Sequence, residues 1–201
     1  MPTNGLHELF ARGLQYLYSA HQQGAKQASA NYETSSAPRL KHALRAGCKL
    51  NLKQAKRLEK VLETVNVLPN ARHDHGMQGI AEANNAMIAE TGNPAERDLI
   101  NIALGQTAAH FYIAKYGTLR SYAQALGNHK AAALLQKTLD ETEKVNSKFN
   151  EIAREIVRKP HHNNSEASVF GQVSMAVAIV ALIAVAAKLA GQPGPSSRNE
   201  S

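Results

Sequence analysis

The sequence predicts an all-α fold: a four-helix bundle with a short additional crossing helix, followed by a C-terminal hydrophobic helix. Apolar residues recur every three or four positions over long stretches of the 201 residues, which is the period of an amphipathic helix. The chain is rich in Ala, Leu, Lys, Gln and Glu, has no Trp and is only 5% aromatic, which is typical of helical bundles rather than β-sandwiches. Short connections separate the amphipathic stretches, as expected of helices packed side by side.

The first two long helices are predicted over residues 5–31 and 38–65. In the first, the apolar residues that recur at helical spacing are Leu6, Phe10, Leu14 and Leu17. His21 continues that stripe one turn later. The second helix begins at Pro38, a residue suited to the first turn of a helix. Its inward face is apolar except for Gln54, so both helices bring one polar side chain towards the core.

Two further long helices are predicted over residues 94–126 and 130–157, and the crossing helix over 77–91. Asn93 is the predicted N-cap of the third long helix, Pro94 its first residue and Gly127 its C-cap. The loop before the crossing helix contains the triplet His73-Asp74-His75. We interpret this triplet as a solvated loop, the alternative being that its two His residues chelate a metal.

A hydrophobic stretch follows the bundle. Val169–Ala187 contains no charged residue and is long enough to cross the ~30 Å hydrocarbon layer at about 1.5 Å per residue. Arg154, Arg158 and Lys159 precede it, which favours a bundle on the cytoplasmic side of the membrane. The alternative is a helix that packs on the bundle or in an oligomer. The predicted divisions are a bundle (1–159), a linker (160–168), a membrane-spanning helix (169–190) and a disordered polar tail (191–201).

The net charge of +7 and the pI near 9.6 raise the question of a nucleic-acid partner. Lys and Arg are distributed along the helices rather than run together, so we interpret the charge as a solvated basic surface and expect no specific nucleic-acid partner. The single cysteine, Cys48, excludes an internal disulfide.

Several polar residues are predicted to lie at similar depth in the bundle. They are His21, Gln54, Gln106, His110, Tyr112, Thr142 and Asn146. Buried polar groups cost free energy unless they are paired, so the first interpretation is a neutral hydrogen-bonded network. The second is a mononuclear metal site in which two imidazoles bind a metal such as zinc. A proton relay or small-molecule pocket is the third.

The residues argue against a dinuclear carboxylate site. In a bundle, such a site takes Glu from two helices and a Glu-x-x-His pair from each of the other two. No Glu in this chain is followed three residues later by His, and the predicted inward stripes carry no carboxylate. We therefore expect no metal and no other cofactor, the alternative being a single metal ion such as Zn, or Fe or Mn.

Four stretches carry a family resemblance, which extends over residues 9–153. They are Leu17-Tyr18-Ser19-Ala20, Arg57-Leu58-Glu59, Tyr116-Gly117-Thr118-Leu119-Arg120 and Leu134-Leu135-Gln136-Lys137-Thr138-Leu139-Asp140-Glu141. The chain resembles the YciE/YciF-type ferritin-like family of bacterial stress proteins. This resemblance implies a ferritin-like bundle in which carboxylates hold two metal ions. The hydrophobic segment after the bundle lies outside the usual family domain.

Matching the motifs one by one implies that every ligand carboxylate has been replaced. The residues at the implied ligand positions are His21, Leu50, Gln54, Ala109, Tyr112, Thr142 and Asn146. The resemblance therefore implies the fold without the chemistry that usually accompanies it. We expect no catalytic residue, and we take a remodelled polar or metal site to consist of His21, Gln54, His110, Tyr112 and Asn146.

The predicted function is that of a non-catalytic, metal-free ferritin-like bundle with a stress-associated structural or interaction role. We expect the bacterial inner membrane to be a partner through residues 169–190, with the bundle in the cytoplasm, the alternative being a soluble cytoplasmic protein. Homodimerisation is left open. The alternative function is a metal-binding oxidoreductase or iron-handling protein with a rearranged site around His21 and His110.

Overall fold

A computed structural model describes residues 3–70 and 72–158, and the side chains from residue 5 onwards. These residues form five helices in the predicted order. Their bounds are α1 (Thr3–Thr34), α2 (Pro38–Glu63), α3 (His75–Ala89), α4 (Pro94–Ala125) and α5 (His129–Arg158). The described part of the chain is therefore all-helical, and each predicted helix of the bundle is present.

The helix ends follow local capping chemistry. The side chain of Asn93 accepts a hydrogen bond from the Ala95 amide at 2.9 Å, and Pro94 begins α4, as predicted. Gly127 follows α4 with a φ of 68°, the left-handed conformation that glycine adopts readily. The triplet His73-Asp74-His75 is not wholly a loop, contrary to the prediction. The Asp74 side chain accepts a hydrogen bond from the Met77 amide at 2.8 Å and caps α3, and His75 is the first residue of that helix. Helix α3 consequently begins two residues earlier than predicted.

The start of α2 is capped from another helix. Ala37, the residue before Pro38, has no side chain that can cap. Instead the buried carboxylate of Asp98 on α4 accepts from the backbone amides of Ser36 and Ala37, both at 2.8 Å, and from the Ser36 hydroxyl at 2.6 Å. This carboxylate thus joins the α1–α2 connection to α4.

The helices pack as two hairpins with α3 across them. Helix α1 packs chiefly with α2, and α4 with α5, while further contacts join α1 to α4 and α2 to α5. Helix α3 contacts α1 and α4. This arrangement is the predicted four-helix bundle with a shorter crossing helix between the second and third long ones.

Two apolar clusters fill the bundle. The larger contains the predicted α1 stripe, in which Phe10, Leu14 and Leu17 are fully buried. The smaller is formed by Leu40, Leu44, Ile102, Phe149 and Ile152. Deeply buried polar side chains and a cavity accompany these clusters, and they constitute the candidate site described below.

The predicted linker, membrane-spanning helix and tail, over residues 160–201, lie outside the described residues. Within residues 3–70 and 72–158, no helix combines the length and apolar character needed to cross a membrane.

Candidate functional site

His21 is the centre of the buried polar network. Its side chain is fully buried, Nδ1 lies 2.8 Å from Oδ1 of Asn51, and Nε2 lies 2.7 Å from the hydroxyl of Tyr116. The Asn51 amide group donates through Nδ2 to the carbonyl of Gly47 at 3.0 Å, which directs its Oδ1 towards the imidazole. Because Oδ1 can only accept, the Nδ1 atom of His21 carries the proton and Nε2 accepts from Tyr116.

Burial keeps this imidazole neutral. The pKa of His21 is lowered from 6.5 to about 4, chiefly by desolvation; the hydrogen bond that Nδ1 donates to Asn51 opposes this shift, and the charge of the Arg57 guanidinium adds to it. At neutral pH both ring nitrogens of His21 are therefore engaged by uncharged partners. Neither carries a lone pair that is free to bind a metal.

Two tyrosines enclose the imidazole. The Tyr112 ring stacks on His21 with a centroid separation of 4.2 Å and an interplanar angle of 2°, and its hydroxyl donates to the carbonyl of Ala20 at 2.9 Å. Tyr116 is fully buried. Burial raises the pKa of both phenols well above the usual value of 10, so both remain protonated. The cluster of His21, Asn51, Tyr112 and Tyr116 is thus neutral, and each polar group described here has a partner.

An ion pair lies at the edge of this cluster. The guanidinium of Arg57 donates to both carboxylate oxygens of Glu141 at 2.8 Å and to the hydroxyl of Thr138 at 2.6 Å. Gln54 also donates to Glu141, at 3.3 Å. The hydrogen bonds from Arg57 lower the pKa of Glu141 to about 2, against the effect of desolvation. The carboxylate is therefore ionised, and its charge is balanced within α2 and α5.

A cavity of about 80 Å³ lies beside the network. Its wall is mostly apolar and includes five of the positions at which the family resemblance implies ligands: Leu50, Gln54, Ala109, Tyr112 and Thr142. Asn31 and Asn101 also line it, and each has one buried amide atom without a hydrogen-bond partner among the described residues. The cavity is roughly half the size of one that admits benzene, and no carboxylate among residues 3–70 and 72–158 lines it.

The structure does not bring His110 into this site. Its side chain is exposed on α4, where Nε2 lies 3.3 Å from Nδ2 of Asn146. The prediction that His110 faces inward is therefore wrong. The buried row on α4 instead consists of Ala109, Tyr112, Tyr116, Leu119 and Ala123. Because α4 carries apolar residues almost all round, its sequence does not show which of two neighbouring rows is buried.

The other predicted site residues divide between core and periphery. His21, Gln54 and Tyr112 are buried, whereas Asn146 is half-buried beside His110 and has an unpartnered Oδ1 among the described residues. Of these five residues, His21 contacts Tyr112 in the core, and His110 contacts Asn146 at the periphery. His21 and His110 are therefore not brought together in this structure, since the first is buried and the second exposed.

Four residues outside the predicted site hold the network together: Asn51, Tyr116, Arg57 and Glu141. One local signal could have found Tyr116, since it follows Tyr112 by four residues and so shares its helix face. The prediction of inward faces without carboxylates also needs correction. Asp74 and Asp98 are buried as helix caps, and only about a fifth of the Glu141 side chain is exposed.

A metal centre does not fit this donor set. Among residues 3–70 and 72–158, no three His, Cys, Asp or Glu side chains converge on one point. Hard cations require several oxygen ligands that offset their charge, whereas the cavity wall offers apolar groups and neutral side chains. Glu141 is already bound by Arg57, and His21 by Asn51 and Tyr116.

Residues 5–161 match the domain of unknown function DUF892. The chain belongs to the DUF892 family. YciF of Escherichia coli strain K12 is 31% identical over 166 residues, which amount to 82% of this chain and 100% of that protein. The predicted membership of the YciE/YciF-type family is thereby confirmed.

Solved structures of other proteins share the fold of this DUF892 chain. It superposes on the E. coli stress protein YciF with a TM-score of 0.73 at 31% identity, over 77% of this chain and 98% of that one. YcfI from Rhodopseudomonas palustris gives a TM-score of 0.70 at 26% identity, over 72% and 92%. A Xanthomonas campestris protein shares the fold, with a TM-score of 0.61 at 17% identity, over 76% and 93%.

Proposed function

We propose that this chain is a non-catalytic, metal-free, ferritin-like member of the DUF892 family with a stress-associated structural or interaction role. The main support is the neutral centre of the bundle, in which Asn51 and Tyr116 occupy both nitrogens of His21. The apolar cavity at the implied ligand positions also supports it. Two relatives also support it: E. coli YciF is described as a stress protein, and a structural role is suggested for R. palustris YcfI.

Metal analysis tests this proposal. The full chain would be purified from cultures supplemented with iron and manganese and analysed by inductively coupled plasma mass spectrometry, with a di-iron ferritin as positive control. We expect well below one ion of any transition metal per chain, and no change in the His21→Gln variant. Two iron or manganese ions per chain would refute the proposal. One ion per chain, lost in the variant, would favour the metal-binding alternative.

We also propose that residues 169–190 tether the bundle to the bacterial inner membrane, with the bundle in the cytoplasm. The support is the uncharged stretch Val169–Ala187 and the basic residues that precede it. The full chain is expected in membranes washed with alkaline carbonate. Val180→Asp should move it to the supernatant, because a central charge opposes insertion, whereas Ser196→Asp should have no effect. Recovery of the unaltered chain in the supernatant would refute the tether.

A further inference from the structure

The outer face of α2 carries a row of positive side chains. Its members, called the basic row here, are all exposed: Arg45, Lys49, Lys53, Lys56 and Lys60. They recur in steps of three or four residues. At about 3.6 residues per turn and 1.5 Å per residue, the row occupies an arc of about 80° and a length of about 22 Å. It is therefore straight and narrow.

Nearly all the net charge of the protein resides on this helix. Helix α2 contains eight Lys and Arg residues and two Glu residues, a net charge of +6, whereas the whole chain has a net charge of +7. No acidic residue occurs in α2 before Glu59. Arg39 and Arg57 pair with carboxylates of α5, so the localised positive surface of α2 consists of the basic row.

Most of the basic row has no counter-charge within the described part of the chain. Lys53 lies 3.7 Å from Glu141, which Arg57 already binds in bidentate fashion. Lys49, Lys56 and Lys60 make no ion pair with any described residue. Like charges four residues apart on a helix repel and destabilise it. The row thus costs stability in the free protein, and an anionic partner would relieve that repulsion.

We propose that the basic row binds the phosphate backbone of double-stranded nucleic acid without sequence preference. A duplex is a rod that carries about one negative charge per 1.7 Å of axis, which matches a straight line of cations. Single strands are usually bound by stacking on aromatic rings, and α2 contains no Phe, Tyr or Trp. A membrane surface would require an exposed apolar face, but Leu52 is the one large apolar side chain exposed on α2. This inference does not depend on the proposed metal-free state.

The test compares two variants of equal charge. Lys49, Lys56 and Lys60 are changed to Gln in the α2 variant. The control variant changes three exposed α5 lysines to Gln, namely Lys130, Lys137 and Lys144. Binding of the full chain to a fluorescent 30-bp DNA duplex of random sequence is measured by anisotropy between 50 and 200 mM salt. A DNA single strand of equal length and vesicles of phosphatidylglycerol are the competing probes.

If each of the five side chains of the basic row contacts one phosphate, the affinity of the unaltered chain for the duplex should fall about 500-fold between 50 and 200 mM salt. The α2 variant keeps two of these contacts, so its affinity should fall about 10-fold over the same range. The α5 variant should resemble the unaltered chain. The α2 variant should also melt at a higher temperature at low salt, which excludes unfolding as the cause of weaker binding. The proposal is overturned by equal weakening in both variants, by no duplex binding at 50 mM salt, or by preference for the single strand or the vesicles.

Discussion

The buried imidazole of His21 should make the protein sensitive to mild acid. Its pKa of about 4 in the folded protein lies below the value of 6.5 expected in the unfolded chain. Above pH 6.5 both states are neutral at this site, so stability does not depend on pH through His21. As the pH falls from 6.5 to 4, the unfolded chain takes up a proton that the folded protein excludes, and folding is disfavoured. Below pH 4 both states are protonated and this loss is complete.

The pKa difference corresponds to a loss of about 3 kcal/mol in the free energy of unfolding between pH 6.5 and pH 4. Urea unfolding at pH 7.5, 6, 5 and 4 measures it directly. The His21→Gln variant cannot titrate at this position, so its stability should fall by about 3 kcal/mol less over the same interval. Its absolute stability at pH 7.5 is expected to be lower, because the hydrogen bonds to Asn51 and Tyr116 are altered.

His7 provides the matched control, because it lies on the same helix but is exposed. His7→Gln removes this exposed imidazole and leaves the buried one in place. A parallel loss of stability in the unaltered protein and in His21→Gln between pH 6.5 and 4 would refute this role of His21.

A second acid-sensitive interval, from pH 4.5 down to about pH 2, is expected from Glu141, whose pKa lies below its usual value of 4.5. That interval should be present in both variants.

Three further substitutions are checked by urea unfolding at pH 7.5. Arg57→Met should lower the free energy of unfolding by about 2 kcal/mol. This cost is smaller than that of breaking a fully buried ion pair, because Glu141 keeps partial solvent contact. An unchanged free energy of unfolding would contradict a structural role for the ion pair. Asp98→Ala should cost about 2 kcal/mol through loss of its bonds to Ser36 and Ala37, and a cost under about 0.5 kcal/mol would refute that cap. Gly47→Ala should stabilise by about 0.5–1 kcal/mol, since the added Cβ meets no atom within 4 Å, whereas destabilisation would show that this space is not open.

Most of the fold could be predicted because helix formation and burial follow local patterns. The α1 stripe and the Asn93–Pro94 start of α4 depend on residues within one or two turns of one another, so the sequence contains the information needed to find them. The start of α2 is different. Its cap, Asp98, lies 60 residues after Pro38 and reaches the helix only once α4 has packed.

The candidate site was less predictable because it depends on helix rotation and on pairing between helices. The apolar residues of α4 surround the helix, so the pattern does not distinguish the row containing Tyr112 from the row containing His110. The pairing of Arg57 with Glu141 joins residues 84 positions apart, and nothing near either residue indicates the other. Tertiary packing determines both features, since it decides which side chains leave water together.

The amino-acid sequence by itself therefore determined the five helices, the apolar stripe of α1 and the family. Each of these follows from residue spacing along one helix or from a short motif. Only the tertiary structure decided that His21 is shared between Asn51 and Tyr116, that His110 faces solvent, and that a cavity lies at the implied ligand positions. Hydrogen bonds and cavities of this kind require side chains from different helices to meet, and their geometry is set when the bundle closes.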